Sequence, residues 1–267
     1  MLKTNDRELY VDHIFDSNCI GGKYGNKLFL RLVAKQKRFE NVDFKYTIFD
    51  SSYLRNCVFD SCDFTGCKFV SVNLYGSSFS GCKFDYVTFE RTIIDSDILD
   101  VGCPGWDNLK LKFARTLRTN FQQIGDTKGV NKAIKVELDA TEIYLLKSWK
   151  SNESYYRNKY KNWTRIKMFF EWLIFKILDI IWGNGENSLK LVRTVVILLL
   201  LMSFVDFFQL KNHSENYINS LLEMPAIFFG IVTPQNYPML YLSLIVFIRL
   251  VLMGFFLSIF IKRFNRR

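Results

Sequence analysis

Between residues 39 and 99 a large apolar residue recurs at every fifth position: Phe39, Phe44, Phe49, Leu54, Phe59, Phe64, Phe69, Leu74, Phe79, Phe84, Phe89, Ile94 and Leu99. A helix repeats every 3.6 residues and a strand every two, so neither accounts for this series. A short, unbroken period implies a repeat architecture, in which each unit buries its face only by stacking on its neighbours. Two positions before each large residue stands a small or β-branched one: Val42, Thr47, Ser52, Cys57, Cys62, Cys67, Val72, Ser77, Cys82, Val87 and Thr92. Asp97 breaks this second series, as expected where a last coil closes against something else.

The double pattern resembles the pentapeptide-repeat family. The resemblance implies a right-handed quadrilateral β-helix over residues 39–102. In that fold both patterned residues point inward, four pentapeptides make one coil, and residues twenty apart stack. Thirteen units make about three coils, or roughly 15 Å at a strand spacing of about 4.8 Å. Residues 1–38 are expected to be an N-terminal cap or arm. Cys62 and Cys82, twenty apart, are expected to stack; reduced core packing is the leading reading and a redox switch the alternative. The start, MLKTNDRELYVD, lacks an apolar segment, so the repeat is expected in the reducing cytosol. With no C-x-x-C pair and only His13 and His213 as histidines, no metal site and no cofactor are expected.

Charge is unevenly spread. Residues 39–102 carry ten acids and five bases, whereas 103–267 carry twelve acids and twenty-three bases. The basic excess surrounds the apolar runs, which favours a membrane surface; no nucleic acid is expected as partner. Residues 103–165 form a helical connector. Its opening turn, VGCPGWDN, brings a tryptophan, Trp106, expected to cover the open end of the coil. A helix follows over 109–125, with Leu109, Phe113, Leu117, Phe121 and Ile124 on one side and Gly125 as C-cap. A second, over 129–150, is expected to bury Val136, Ile143 and Leu146. The basic, aromatic stretch 150–165 suits lipid headgroups. Residues 166–188 are read as an interfacial amphipathic helix and turn, with Trp172 and Trp182 at headgroup level and Asn187 or Ser188 capping the next helix.

Residues 189–267 form a two-transmembrane domain, an α-helical two-span unit with spans at 189–208 and 238–261. Lysines and arginines flank their outer ends, while the loop between carries only Lys211. The positive-inside rule then places both termini in the cytosol, and the protein is expected in the cell membrane. YINSLLEMPAIFFGIV (217–232) is too apolar for an external loop and too short to span. This layout resembles the pore module of potassium-type channels, and it implies a re-entrant pore-type helix. WGNGENSLKLVR (182–193) and RLVLMGFFLSIFIKRF (249–264) resemble bacterial proteins that join pentapeptide repeats to such a module, and this resemblance implies that the membrane is a bacterial inner membrane. The family's glycine-rich filter is absent here: FFGIVT is followed only by PQNY, so no ion selectivity carries over. Thr233, Gln235 and Asn236 are the candidates to line a polar constriction; the alternative is a tight external turn. Arg249 stands near the middle of the second span, where a cation is costly. Pairing with Asp206 or Glu223 is the leading reading, and a ring of Arg249 about a central axis the other.

No nucleophile motif or phosphate-binding loop appears, so an enzyme is not expected. The first reading is an oligomeric membrane ion channel or channel-like effector whose coil is a cytoplasmic sensor or docking surface for a protein or signal ligand. Two spans cannot enclose a pore, so a homo-oligomer is required, and the resemblance implies a tetramer. The second reading is a membrane-tethered binding module without conduction. Mimicry of DNA is disfavoured by the shortness of the coil.

Overall fold

The computed structural model describes residues 7–210, 217–235 and 237–265. The chain divides into two units between Met168 and Phe169. The described residues of the first open with nine short strands: β1 (Glu8–Val11), β2 (Cys19–Ile20), β3 (Lys27–Leu30), β4 (Arg38–Glu40), β5 (Ile48–Asp50), β6 (Val58–Asp60), β7 (Lys68–Val70), β8 (Ser78–Ser80) and β9 (Thr88–Glu90). They form two parallel sheets, ordered β1-β3-β5-β7-β9 and β2-β4-β6-β8. The register is twenty residues: Phe29 faces Phe49, Phe49 faces Phe69, and Phe69 faces Phe89. Single bridges, such as Lys23 to Asp43 and Val33 to Tyr53, form the two remaining sides. This is a parallel β-solenoid of about four turns.

Stacking explains the period. Phe49 and Phe69 lie 5.0 Å apart with rings 6° from parallel. Phe44, Phe64 and Phe84 continue the same arrangement at 5.2 and 5.3 Å on another side. The small inward residues have a second task. Ser77 Oγ accepts the Cys57 N–H at 3.0 Å and donates to Leu54 O at 2.6 Å. Ser52 Oγ accepts the Leu32 N–H, and the Cys57 and Cys62 thiols donate to Ala34 O and Phe39 O. Backbone groups that turn inward at the corners are thereby satisfied inside an otherwise apolar core. All six cysteines are free thiols, and burial pushes those of Cys57 and Cys67 up. From Asn26 to Arg91 every fifth residue has positive φ, and only Gly66, Gly76 and Gly81 among them are glycine. The corners are thus left-handed backbone carried largely by polar side chains.

The solenoid starts far earlier than residue 39. Over the described residues 7–38 the expected cap or arm is instead further coil, since β1 pairs with β3 and β2 with β4. Four inter-strand steps at about 4.8 Å give about 19 Å, more than three coils allow. The offset reveals why the sequence conceals this. Tyr10 faces Phe29, nineteen residues on, whereas Cys19 faces Phe39, twenty on. One unit between them is a residue short; Cys19 occupies a position that holds a phenylalanine in later coils, and Ala34 one that holds Leu54, Leu74 and Ile94.

The C-terminal end is closed by helices: α1 (Ile98–Val101), α2 (Asp107–Ile124), α3 (Thr127–Lys150) and α4 (Ser154–Lys159). Trp106 does not cover the coil; it is 63% exposed. Helix α2 does so instead, with Phe113 against Phe84 and Phe89. Thr116, Asn120 and Gln123, one turn apart along α2, bond to the Phe89, Thr92 and Arg91 backbone as a further strand would. Gly125 (φ 75°) ends α2 as a left-handed C-cap, and Asp126 caps α3 by accepting from Gly129 N. Helix α3 packs on α2 through Val130, Ala133, Ile134, Glu137 and Ala140. The face expected through Val136, Ile143 and Leu146 is not the buried one, and Ile143 is exposed. Glu137, a charge in this buried row, hid it; the carboxylate is held by Arg115 and Arg118 at 3.1 and 3.0 Å.

Beyond α4 lies α5 (Trp163–Trp182), which carries an exposed stripe of Ile166, Phe170, Ile174, Ile177 and Ile180. The second unit continues with a short 3₁₀ turn (Gly183–Gly185), α6 (Ser188–Val205) with a π-helical extension to Leu210, α7 (Tyr217–Phe229) and α8 (Met239–Asn265). Ser188–Phe208 and Met239–Lys262 are long and apolar enough to cross a membrane, with mean hydropathies of 2.3 and 2.7.

Candidate functional site

The second unit is organised around two junctions. At the first, Gly183, Asn184 and Gly185 all have positive φ and turn the chain from α5 into α6. Asn187 caps α6, its Oδ1 accepting from Leu189 N and Lys190 N at 3.0 and 3.2 Å. Lys190 reaches back to both Asp179 oxygens at 2.8 and 2.9 Å. Trp182 stacks on Phe255 of α8 at 4.3 Å, and the Lys262 ammonium lies over the same indole. Trp182 is therefore packed between helices rather than offered to headgroups.

The second junction involves α7. Its first residue, Tyr217, shares a hydrogen bond with Ser203 of α6 at 3.1 Å. Its apolar face buries Met224, Ile227 and Phe228, and α7 packs on both α6 and α8. It ends at Gly230, whose φ of 78° turns the chain out of the helix; Ile231 N then bonds back to Ala226 O at 2.8 Å. The Arg249 guanidinium of α8 lies against Gly230, where any β-carbon would collide with it. Arg249 Nη1 donates to Phe228 O at 3.5 Å, a long contact. The cation therefore sits at the carbonyl end of α7, where unpaired C=O groups concentrate negative charge.

This differs from the expected ion pairs. Among the described residues Arg249 forms no ion pair; the fully buried Asp206 instead accepts a hydrogen bond from the Tyr237 hydroxyl. Geometry explains the divergence. Tyr237 precedes Arg249 by twelve residues, about 18 Å at helical rise, so Asp206 serves the end of α8 and not its middle. Glu223 is on the exposed side of α7. Thr233 and Gln235 are exposed in the segment between α7 and α8, and Asn236 lies outside the described residues. Tyr237 and Gly230 were not legible as partners, because neither a tyrosine nor a glycine advertises a charge beside it.

The pentapeptide-repeat family matches residues 38–74 and 62–95, in eight copies. The N-terminal domain is a pentapeptide-repeat β-solenoid, and the C-terminal helical region holds two apolar helices of membrane-spanning length. Among solved structures, two trypsin-treated variants of QnrB1, a plasmid-mediated fluoroquinolone resistance protein, are similar to the chain. One shares 14% identity over 32% of this chain and 79% of that one, with a TM-score of 0.17. The other shares 15% over 32% and 71%, with a TM-score of 0.13. No curated protein matches the chain.

Proposed function

We propose that the protein is an oligomeric membrane channel or channel-like effector. Its right-handed quadrilateral coil is the cytoplasmic sensor or docking surface, and α7 is a re-entrant helix inserted between two spans. The observation that supports this reading is the course of α7. It starts beside Ser203, near one end of α6, and ends beside Arg249, near the middle of α8. Thirteen residues reach about 20 Å, too short to cross a bilayer core of about 30 Å. A helix that enters from one side and stops at mid-depth aims its last carbonyls into the assembly, and two spans need further copies to surround them. The exposed stripe on α5 suits a helix lying in the interface. Both termini are then cytosolic, and four copies form the ring. Ion selectivity stays unassigned because the filter glycines are absent.

The test is electrical. The purified full-length protein, shown by cross-linking to be oligomeric, is reconstituted in a planar bilayer under asymmetric salt. Discrete openings are expected, and their reversal potential assigns the ion. Silence from oligomeric protein, persisting after removal of residues 1–165, points to the tethered binding module instead.

A further inference from the structure

Among α6, α7 and α8 lies a half-open cavity of about 610 Å³ whose walls include Leu191, Val195, Phe228, Leu252, Phe256 and Arg249. Its walls are otherwise apolar among the described residues, with Arg249 the one charged residue. The volume falls within the range of about 300–1,000 Å³ typical of small-ligand sites. An arginine facing apolar walls, with one long contact to a carbonyl and no carboxylate partner among the described residues, has donors to spare. A guanidinium presents them as a planar fork that suits a carboxylate.

We infer that this cavity binds a long-chain carboxylic acid, its carboxylate on Arg249 and its hydrocarbon chain along Leu191, Val195 and Phe256. The inference rests on the membrane placement of α6 and α8, and not on conduction. The depth of Arg249 selects this ligand over a phospholipid headgroup. It lies ten residues from Met239 and thirteen from Lys262, about 15 and 20 Å along the helix. A headgroup phosphate stays at the interface, beyond that reach. A single-chain acid, neutralised by the arginine, can enter whole.

The experiment titrates the full-length protein in detergent with radiolabelled palmitate. Saturable binding near one per chain is expected, at least tenfold weaker for Arg249→Gln and at least tenfold weaker for hexadecanol, which has the chain without the charge. Leu252→Trp keeps the charge and fills the cavity, and it should abolish binding; it decides the matter if Arg249→Gln fails to fold. Equal affinity for palmitate and hexadecanol, unchanged binding in a folded Arg249→Gln or Leu252→Trp variant, or no saturable binding overturns the inference. Val196→Cys and Phe256→Cys variants that cross-link between copies, with no palmitate bound, would give the cavity to a second copy and overturn it equally.

Discussion

Asn120 exchanges two hydrogen bonds with the backbone of Thr92: its amide nitrogen donates to Thr92 O at 2.7 Å, and its Oδ1 accepts from Thr92 N at 2.7 Å. One side chain thus reproduces, on a helix, what a neighbouring strand would offer the last coil. Asn120 is fully buried, so water cannot replace it. Asn120→Leu should cost about 2–4 kcal/mol, since two buried backbone groups lose partners. Thermal unfolding of the full-length protein in detergent, followed by far-UV circular dichroism, measures it. A loss below about 0.5 kcal/mol would mean that the coil end is satisfied otherwise.

Phe64 lies between Phe44 and Phe84 and is 1% exposed. Phe64→Ala leaves a cavity that the stacked coils cannot collapse into without breaking register. A loss of about 3–5 kcal/mol is expected in the same measurement.

The corners give paired predictions of opposite sign. Gln36 is exposed with φ 55°. Gln36→Gly relieves about 1–2 kcal/mol of left-handed strain and costs about 0.5–1 in chain entropy, so stability should rise by about 0.5 kcal/mol. Gly66 is the contrary case: φ is 70°, and an added β-carbon would stand 2.5 Å from the Tyr46 ring. Gly66→Ala should lower the melting temperature while Gln36→Gly raises it.

Asp63 supplies a pH signature. Burial raises its pKa, but hydrogen bonds from Thr65 and the nearby Lys45 ammonium outweigh burial and hold the carboxyl below its ordinary value. A folded pKa below the unfolded value of about 3.9 means stability that is present above that pH and lost as pH falls through the folded value. Asp63→Asn keeps the acceptor for Thr65 N without the titration. Its stability difference from the parent should therefore shrink between about pH 5 and pH 3; a difference constant over that window would exclude Asp63 as the source.

At the membrane unit, Tyr237→Phe removes a hydroxyl that donates to the buried Asp206. A destabilisation of about 1–3 kcal/mol is expected, read as a lower unfolding temperature in detergent, and Asp206→Asn should largely suppress it in the double variant.

What the sequence disclosed follows from how each element carries its signal. The coil after Phe39 was legible because a large residue fills every fifth position. The coils before it were not, because a short unit shifts the phase, Cys19 stands where a phenylalanine belongs and Ala34 where a leucine does. The cap was misassigned to Trp106 for a related reason: size suggested a plug. Thr116, Asn120 and Gln123 look like an ordinary polar helix face until the strand they meet is known. Arg249 was legible as an anomaly in an apolar run. Its partner was not, since the carbonyl end of α7 is backbone and has no letter in the sequence.

The twenty-residue register has a consequence for how such a chain can change. Every side chain in the coil rests on its counterpart one turn away, so duplicating or deleting a block of twenty residues leaves each contact type in place. The coil can therefore grow or shrink only in whole steps of about 4.8 Å. The shortened unit between Phe15 and Cys19 stands in the first described coil, where one described neighbour accommodates the lost residue. Deep in the stack the same omission would dislocate both sides, so length variation is confined to full turns inside and to odd residues at the rim.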